Sequence, residues 1–162
     1  ATRRLIDDGC RRILCLRSNS RMRMPANKRT DAYLDVVEQA GLPALVREVE
    51  FVKSDDEKSA VVAKILDENP DIDGIFAGDD TMAAICLNVM KQRGLSAPDD
   101  IKVVGADGAR RTMTFMPDLT TVRQDIDRIG ELAAQSIIAL INGDNPESNI
   151  KLPVELIEGK TA

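Results

Sequence analysis

Short apolar runs return along this chain at a pitch of about 30 residues, the length of one strand–helix–strand unit. Ile13-Leu14-Cys15-Leu16 is the first and Val49-Glu50-Phe51-Val52 closes the second; Gly74-Ile75-Phe76-Ala77 and Val103-Val104-Gly105-Ala106 follow. Runs this short and continuous fit strands buried on both faces of a parallel sheet. Between them the apolar spacing turns helical. Tyr33, Val36, Val37 and Ala40 share one face, with Gly41 placed to end the helix, and Val61, Val62, Ile65 and Leu66 do the same before Asn69-Pro70. The alternation predicts an α/β chain built on an open, doubly wound parallel sheet.

A third helix is predicted from Thr81 to Arg93, stopping at Gly94, and it is apolar almost all round: Met82, Ala83, Ala84, Ile85, Cys86, Leu87, Val89 and Met90. Such a helix must bury both faces. The sheet takes one, and the other needs a partner. Met113, Phe115 and Met116 form another apolar cluster, in a stretch otherwise polar enough for a surface loop. Past Pro117 the pattern changes. Leu119-Thr120-Thr121-Val122 reads as extended, and Ile126, Ile129, Ala133, Ile137 and Leu140 form an amphipathic helical stripe ending near Asn142-Gly143. Ile150 to Ile157 alternates loosely as a last strand.

Composition removes several function classes. The 162 residues carry 22 Lys and Arg against 27 Asp and Glu, a net charge of -5, which suits phosphate-backbone binding poorly. There is no histidine, hence neither the commonest general base nor the commonest metal ligand. Cys10, Cys15 and Cys86 are odd in number and lack paired spacing, so no zinc site or disulfide framework is expected, and a cytoplasmic location is. The longest unbroken apolar stretch, Met82 to Leu87, is too short to span a bilayer. No Gly-x-Ser-x-Gly elbow and no glycine fingerprint after the first strand is present. Gly159-Lys160-Thr161 has the letters of a phosphate loop without its strand-and-helix setting. The expectation is a binding protein with no catalytic residue, metal or cofactor. The opening Thr2-Arg3-Arg4-Leu5-Ile6 reads as the middle of a helix, so a piece of a longer protein is expected.

In open α/β sheets ligands sit beyond the carboxyl ends of the strands. Those ends carry Arg17, Ser18 and Asn19 after the first strand, Gly78, Asp79 and Asp80 after the third, and Asp107 and Gly108 after the fourth. The acidic groups suit a cation or the hydroxyls of a polyol. Asp80 directly precedes a helix and is expected to cap it, which leaves Asp79 for a ligand. Asp107-Gly108 reads equally as a turn, and Arg29 as a surface residue. The basic loop Ser18 to Lys28, with Arg21, Arg23 and Lys28, reads as solvated.

Five stretches in order resemble the effector-binding region of lactose-repressor (LacI/GalR-type) transcription regulators. They are Arg29-Thr30-Asp31-Ala32-Tyr33 with Glu38-Gln39-Ala40-Gly41-Leu42; Ile75 to Ala83; Asp100 to Asp107; Leu119 to Gln124; and Leu152 to Leu156. The resemblance implies a periplasmic-binding-protein-like fold, with one lobe over residues 1–118, a crossover and helix of a second, truncated lobe over 119–149, and a closing strand and tail over 150–162. It implies a sugar or similar small metabolite held between the lobes by Arg29, Asp79, Asp107 and Gln124. It also implies a homodimer through Met82, Ala84, Ile85, Met113, Phe115 and Met116, and operator DNA bound only through an amino-terminal head outside this chain. The chain departs from the pattern at Asp79 for the usual Asn, Ala106 for an aromatic residue, Gly108 for a second acidic residue, Cys10 for a frequent His, and Gly159-Lys160 within the usual ending. Two other classes remain open at this point. One is a periplasmic sugar-binding protein of a transport system. The other is an enzyme or phospho-acceptor receiver on the same scaffold, although a receiver needs acidic groups where Arg17 stands.

Overall fold

The computed structural model describes residues 1–19, 26–147 and 149–162. Strands β1 (Ile13–Asn19), β2 (Leu45–Glu50), β3 (Gly74–Ala77), β4 (Lys102–Asp107), β5 (Thr120–Gln124) and β6 (Val154–Ile157) form one sheet in the order β2-β1-β3-β4-β5-β6. The first five are parallel, and β6 returns antiparallel on β5. Helices α1 (Thr2–Asp7), α2 (Ala26–Gln39), α3 (Asp55–Glu68), α4 (Asp80–Gln92), α5 (Arg110–Phe115) and α6 (Ile126–Ile141) complete the chain.

Because side chains alternate along a strand, the apolar runs feed two cores at once. Leu14, Leu16, Ile75, Ala77 and Val103 face α3 and α4, while Ile13, Cys15, Phe76, Val104 and Ala106 face α1 and α2. Tyr33 links the second core to the sheet. Its buried hydroxyl donates to the Ile13 carbonyl at 2.7 Å and accepts from the Leu45 amide at 2.8 Å, so one atom ties the starts of β1 and β2. α3 begins on a capping box: the Ser54 hydroxyl accepts from the Glu57 amide, and the Glu57 carboxylate accepts from the Ser54 amide at 2.9 Å. α2 ends as expected at Gly41, whose φ of +67° is left-handed.

Several expectations need correction. The second strand is Leu45–Glu50, and Phe51 and Val52 stand exposed in the following turn. Residues 110–115, expected as loop, form α5. Met82 and Ile85 are core residues, 2% and 7% exposed, because α3 covers the side of α4 that the sheet leaves open. An all-round apolar pattern therefore demands no second chain, and these two residues do not form an interface surface. Ala84, Met113 and Met116 are half-buried, and Phe115 is 76% exposed. Beyond residue 118 the sheet continues through β5 and β6. Like α5, α6 has no buried residue, and Ile126, Ile129, Ile137 and Leu140 stand exposed along its stripe. Arg21 and Arg23 of the basic loop lie outside the described residues.

Replacing the Tyr33 hydroxyl strands a buried amide and a buried carbonyl, which costs about 1–3 kcal/mol. Tyr33→Phe is expected to lower the urea midpoint with an unchanged m value. An unchanged midpoint would mean that the hydroxyl does not hold β1 to β2.

Candidate functional site

The carboxyl ends of β1, β3, β4 and β5 meet at one edge of the sheet, and three of the four expected ligand residues converge there on one oxygen. Arg29, in the first turn of α2, donates from Nη2 to Asp107 Oδ1 at 2.6 Å and from Nη1 to the Gly78 carbonyl. Gln124, the last residue of β5, donates from Nε2 to the same Asp107 oxygen at 2.7 Å. The Arg29 and Asp107 side chains are 28% and 34% exposed, so the pair is open to a solute. Asp79 sits on the same edge with its Oδ2 at 3.4 Å from the Ser18 hydroxyl.

The helix-cap role expected of Asp80 belongs to Asp79. Asp79 has the extended backbone of a cap (φ -152°, ψ 167°), and its Oδ1 accepts from the Met82 amide at 2.8 Å. Asp80 is already the first helical residue and points inward, 3% exposed. Its Oδ2 accepts from the Gly108 amide at 2.8 Å and its Oδ1 from the Thr121 hydroxyl at 2.5 Å. Burial pushes its pKa up, and the bonds from Thr121 and Gly108 oppose that shift. A Cβ at position 105 would lie 2.5 Å from Asp80 Oδ1, so β4 carries glycine where the carboxylate crosses it. Asp80 and Thr121 escape a reading based on strand ends alone. Their signal is Gly105, a residue without a side chain in an otherwise apolar buried strand.

The turn that presents Asp107 is unusual. Asp107 has φ 104°, a conformation rarely adopted by residues with a side chain, and Gly108 follows at φ 59°. The turn also lies against β5, since a Cβ on Gly108 would come within 2.6 Å of the Arg123 backbone. Beside it opens a cavity of about 540 Å3 lined by Gly108, Met113, Arg123, Gln124, Asp125 and Val154, among others. Across Arg29 lies a smaller one of about 270 Å3, lined in part by Arg29, Tyr33, Phe76, Ala106 and Val122. A guanidinium, two carboxylates and an amide at one rim are donors and acceptors suited to a hydroxylated solute. Nucleophilic chemistry has little to work with here. All three thiols are buried, and burial pushes Cys10 and Cys15 up to about 11 and Cys86 up to about 12. Among the described residues no group of three or more Cys, Asp or Glu is arranged to hold a metal ion, and no helix is long and apolar enough to cross a membrane.

The profile of the periplasmic binding protein-like domain family matches residues 2–162. The chain is 33% identical over 159 residues to the sucrose operon repressor of Lactococcus lactis subsp. lactis, covering 98% of this chain and 48% of that protein. It is 31% identical over 162 residues to the ribose operon repressor of Halalkalibacterium halodurans, covering 99% and 48%. A solved complex of the transcriptional regulator CelR with cellobiose superposes with a TM-score of 0.88 at 29% identity, covering 100% of this chain and 50% of that one. These relatives are transcriptional regulators, and the chain spans about half the length of the curated relatives it matches.

The geometry of the Asp107 turn yields a stability test. Gly108→Ala adds a methyl group against β5 in a left-handed conformation, and a substitution incompatible with the native backbone costs more than about 1 kcal/mol. A lower denaturant midpoint is expected; a midpoint equal to wild type would show that this turn moves freely away from β5.

Proposed function

The chain belongs to the periplasmic binding protein-like domain family, and on that basis we propose that it is the ligand-sensing part of a LacI/GalR-type transcriptional regulator. The observation that carries this reading is the convergence of Arg29 and Gln124 on one oxygen of Asp107, at the sheet edge where open α/β folds bind ligands. The effector is a sugar or similar small metabolite. Arg29 donates to its hydroxyls, Asp107 and Asp79 accept from them, and Gln124, at the exit from β5, couples the site to the segment that follows. The names of the relatives, sucrose and ribose operon repressors and a cellobiose-bound regulator, support this class and favour a regulator over a transport protein.

In this reading residues 1–118 are one lobe. The 119–149 segment carries the crossover and α6 into a second lobe, which covers the exposed Ile126, Ile129, Ile137 and Leu140, and residues 150–162 close the sheet. The effector binds between the lobes in the cytoplasm and acts through a DNA-binding head outside this chain. It shifts operator affinity only as far as its own affinity differs between the two lobe arrangements. Binding, and not turnover, is the function. Two copies pair through the surface around Ala84, Met113, Phe115 and Met116.

Calorimetric titration of the intact protein with sucrose, ribose and cellobiose tests the site. A hydrogen bond to a charged group contributes about 1.5–3 kcal/mol, so Arg29→Ala and Asp107→Ala should each weaken effector binding about tenfold or more while operator affinity holds. Unchanged effector affinity in both variants would return these residues to a structural turn. The pairing surface is tested separately. Phe115→Asp places one charge from each copy at a two-fold contact and is expected to give folded monomers by sedimentation equilibrium and circular dichroism. A wild-type chain that is monomeric at tens of micromolar would remove the interface.

A further inference from the structure

Within the proposed sensing site, on which this inference rests, we propose that Asp80 is a positioning residue whose buried carboxylate fixes the Asp107–Gly108 turn and so aims the Asp107 carboxylate at the effector. Asp80 touches neither rim cavity, and the role expected for it as helix cap belongs to Asp79. What Asp80 does touch is the turn itself. Its Oδ2 accepts from the amide of Gly108, the residue directly after Asp107, at 2.8 Å. Its Oδ1 is held from the side by the Thr121 hydroxyl at 2.5 Å, on β5 three residues before Gln124.

Asp107 has φ 104° and makes no use of glycine's freedom, so something outside the residue must hold that conformation. Three contacts do. The Gly108 amide is anchored on an ionisable acceptor, Gly108 lies against the Arg123 backbone, and Arg29 and Gln124 grip the Asp107 side chain from the rim. Only the first comes from beneath, within the protein. It and the packing of Gly108 on Arg123 are what an arriving effector leaves in place, because Arg29 and Gln124 are themselves ligand donors in the proposed site. Gly105 gives the arrangement its clearance, since any Cβ there would meet Asp80 Oδ1. The carboxylate thus joins α4, the β4 turn and β5 into one support under Asp107, the kind of backing that sets whether a binding group sits at the right angle.

The test compares Asp80→Ala, Asp80→Asn and Thr121→Val in the intact protein. Hydrogen exchange over residues 107–109, thermal midpoint and calorimetric affinity for whichever of sucrose, ribose or cellobiose the wild type binds are measured together. Losing a charge-assisted bond corresponds to about tenfold or more in an equilibrium constant, so Asp80→Ala should exchange at least about tenfold faster over 107–109 and bind at least about tenfold more weakly. Asp80→Asn retains a carbonyl oxygen for the Gly108 amide and should bring both back to within about threefold of wild type. Thr121→Val, which only frees the carboxylate sideways, should fall between. A merely structural Asp80 predicts a lower thermal midpoint with unchanged affinity in every folded variant, and that result overturns the proposal. Should Asp80→Ala fail to fold, Asp80→Asn and Thr121→Val decide it: wild-type exchange and affinity in Thr121→Val together with unrecovered affinity in a folded Asp80→Asn overturns it. Should the wild type bind none of the three sugars, the effector reading fails, while exchange over 107–109 still decides whether Asp80 holds the turn.

Discussion

Strands β1, β3 and β4 lie between two layers of helix, and neither of their faces meets water. Everything else in the fold follows from that double burial. Parallel neighbours cannot be joined by a tight hairpin, so from β1 to β4 each connection crosses a face of the sheet as a helix and returns to the same starting edge. The strands then all finish together. Their last residues lie beyond the apolar layers, where polar side chains meet water and where α2 and α4 begin. Buried strands thus gather Ser18, Asp79, Asp107 and Gln124, residues 106 positions apart at the extremes, along one rim.

At that rim geometry matters more than ion-pair strength. Arg29 and Asp107 are each about one third exposed, and pairs so open to water contribute little to stability, about 0–1 kcal/mol. Their value is directional. The planar guanidinium spans a backbone carbonyl and a carboxylate, fixing α2 against the ends of β3 and β4. The stability of the region comes from beneath, from the buried bonds of Tyr33 and Asp80 and from the two apolar layers.

Apolar periodicity shows the sheet and its main helices because double burial writes itself as unbroken runs such as Ile13–Leu16 and Gly74–Ala77. The boundary of β2 is less visible. Phe51 and Val52 are apolar yet sit in a turn, and Leu45 is separated from Val49 by the charged edge residues Arg47 and Glu48. α5 is hidden for a related reason: six residues with no buried member have no periodic stripe to display. Arg29, Asp107 and Gln124 are legible as strand-end and motif positions, but their meeting at one oxygen is a three-dimensional fact. The division of roles between Asp79 and Asp80 is legible only indirectly, through Gly105, since either residue suits a helix start and a single step in backbone conformation decides which one turns inward. Met82 and Ile85 mislead for the opposite reason. Composition reports that a helix is apolar all round, but not that α3 of the same chain already lies against it.

The shared oxygen of Asp107 has one more consequence. A carboxylate oxygen offers two lone pairs, and Arg29 and Gln124 occupy both directions at 2.6 and 2.7 Å. A hydroxyl arriving at that oxygen displaces a donor that is already satisfied, so one hydrogen bond is exchanged for another and the net gain is small. Discrimination then rests on whether the newcomer also satisfies the donor it displaces, by offering an acceptor to the freed guanidinium or amide. A hydroxyl can do both, donating to the carboxylate and accepting from the freed group, whereas a solute that only donates leaves the guanidinium or amide without a partner. The Asp107 oxygen is thus saturated from within the chain, and any further contact to it is an exchange and not an addition.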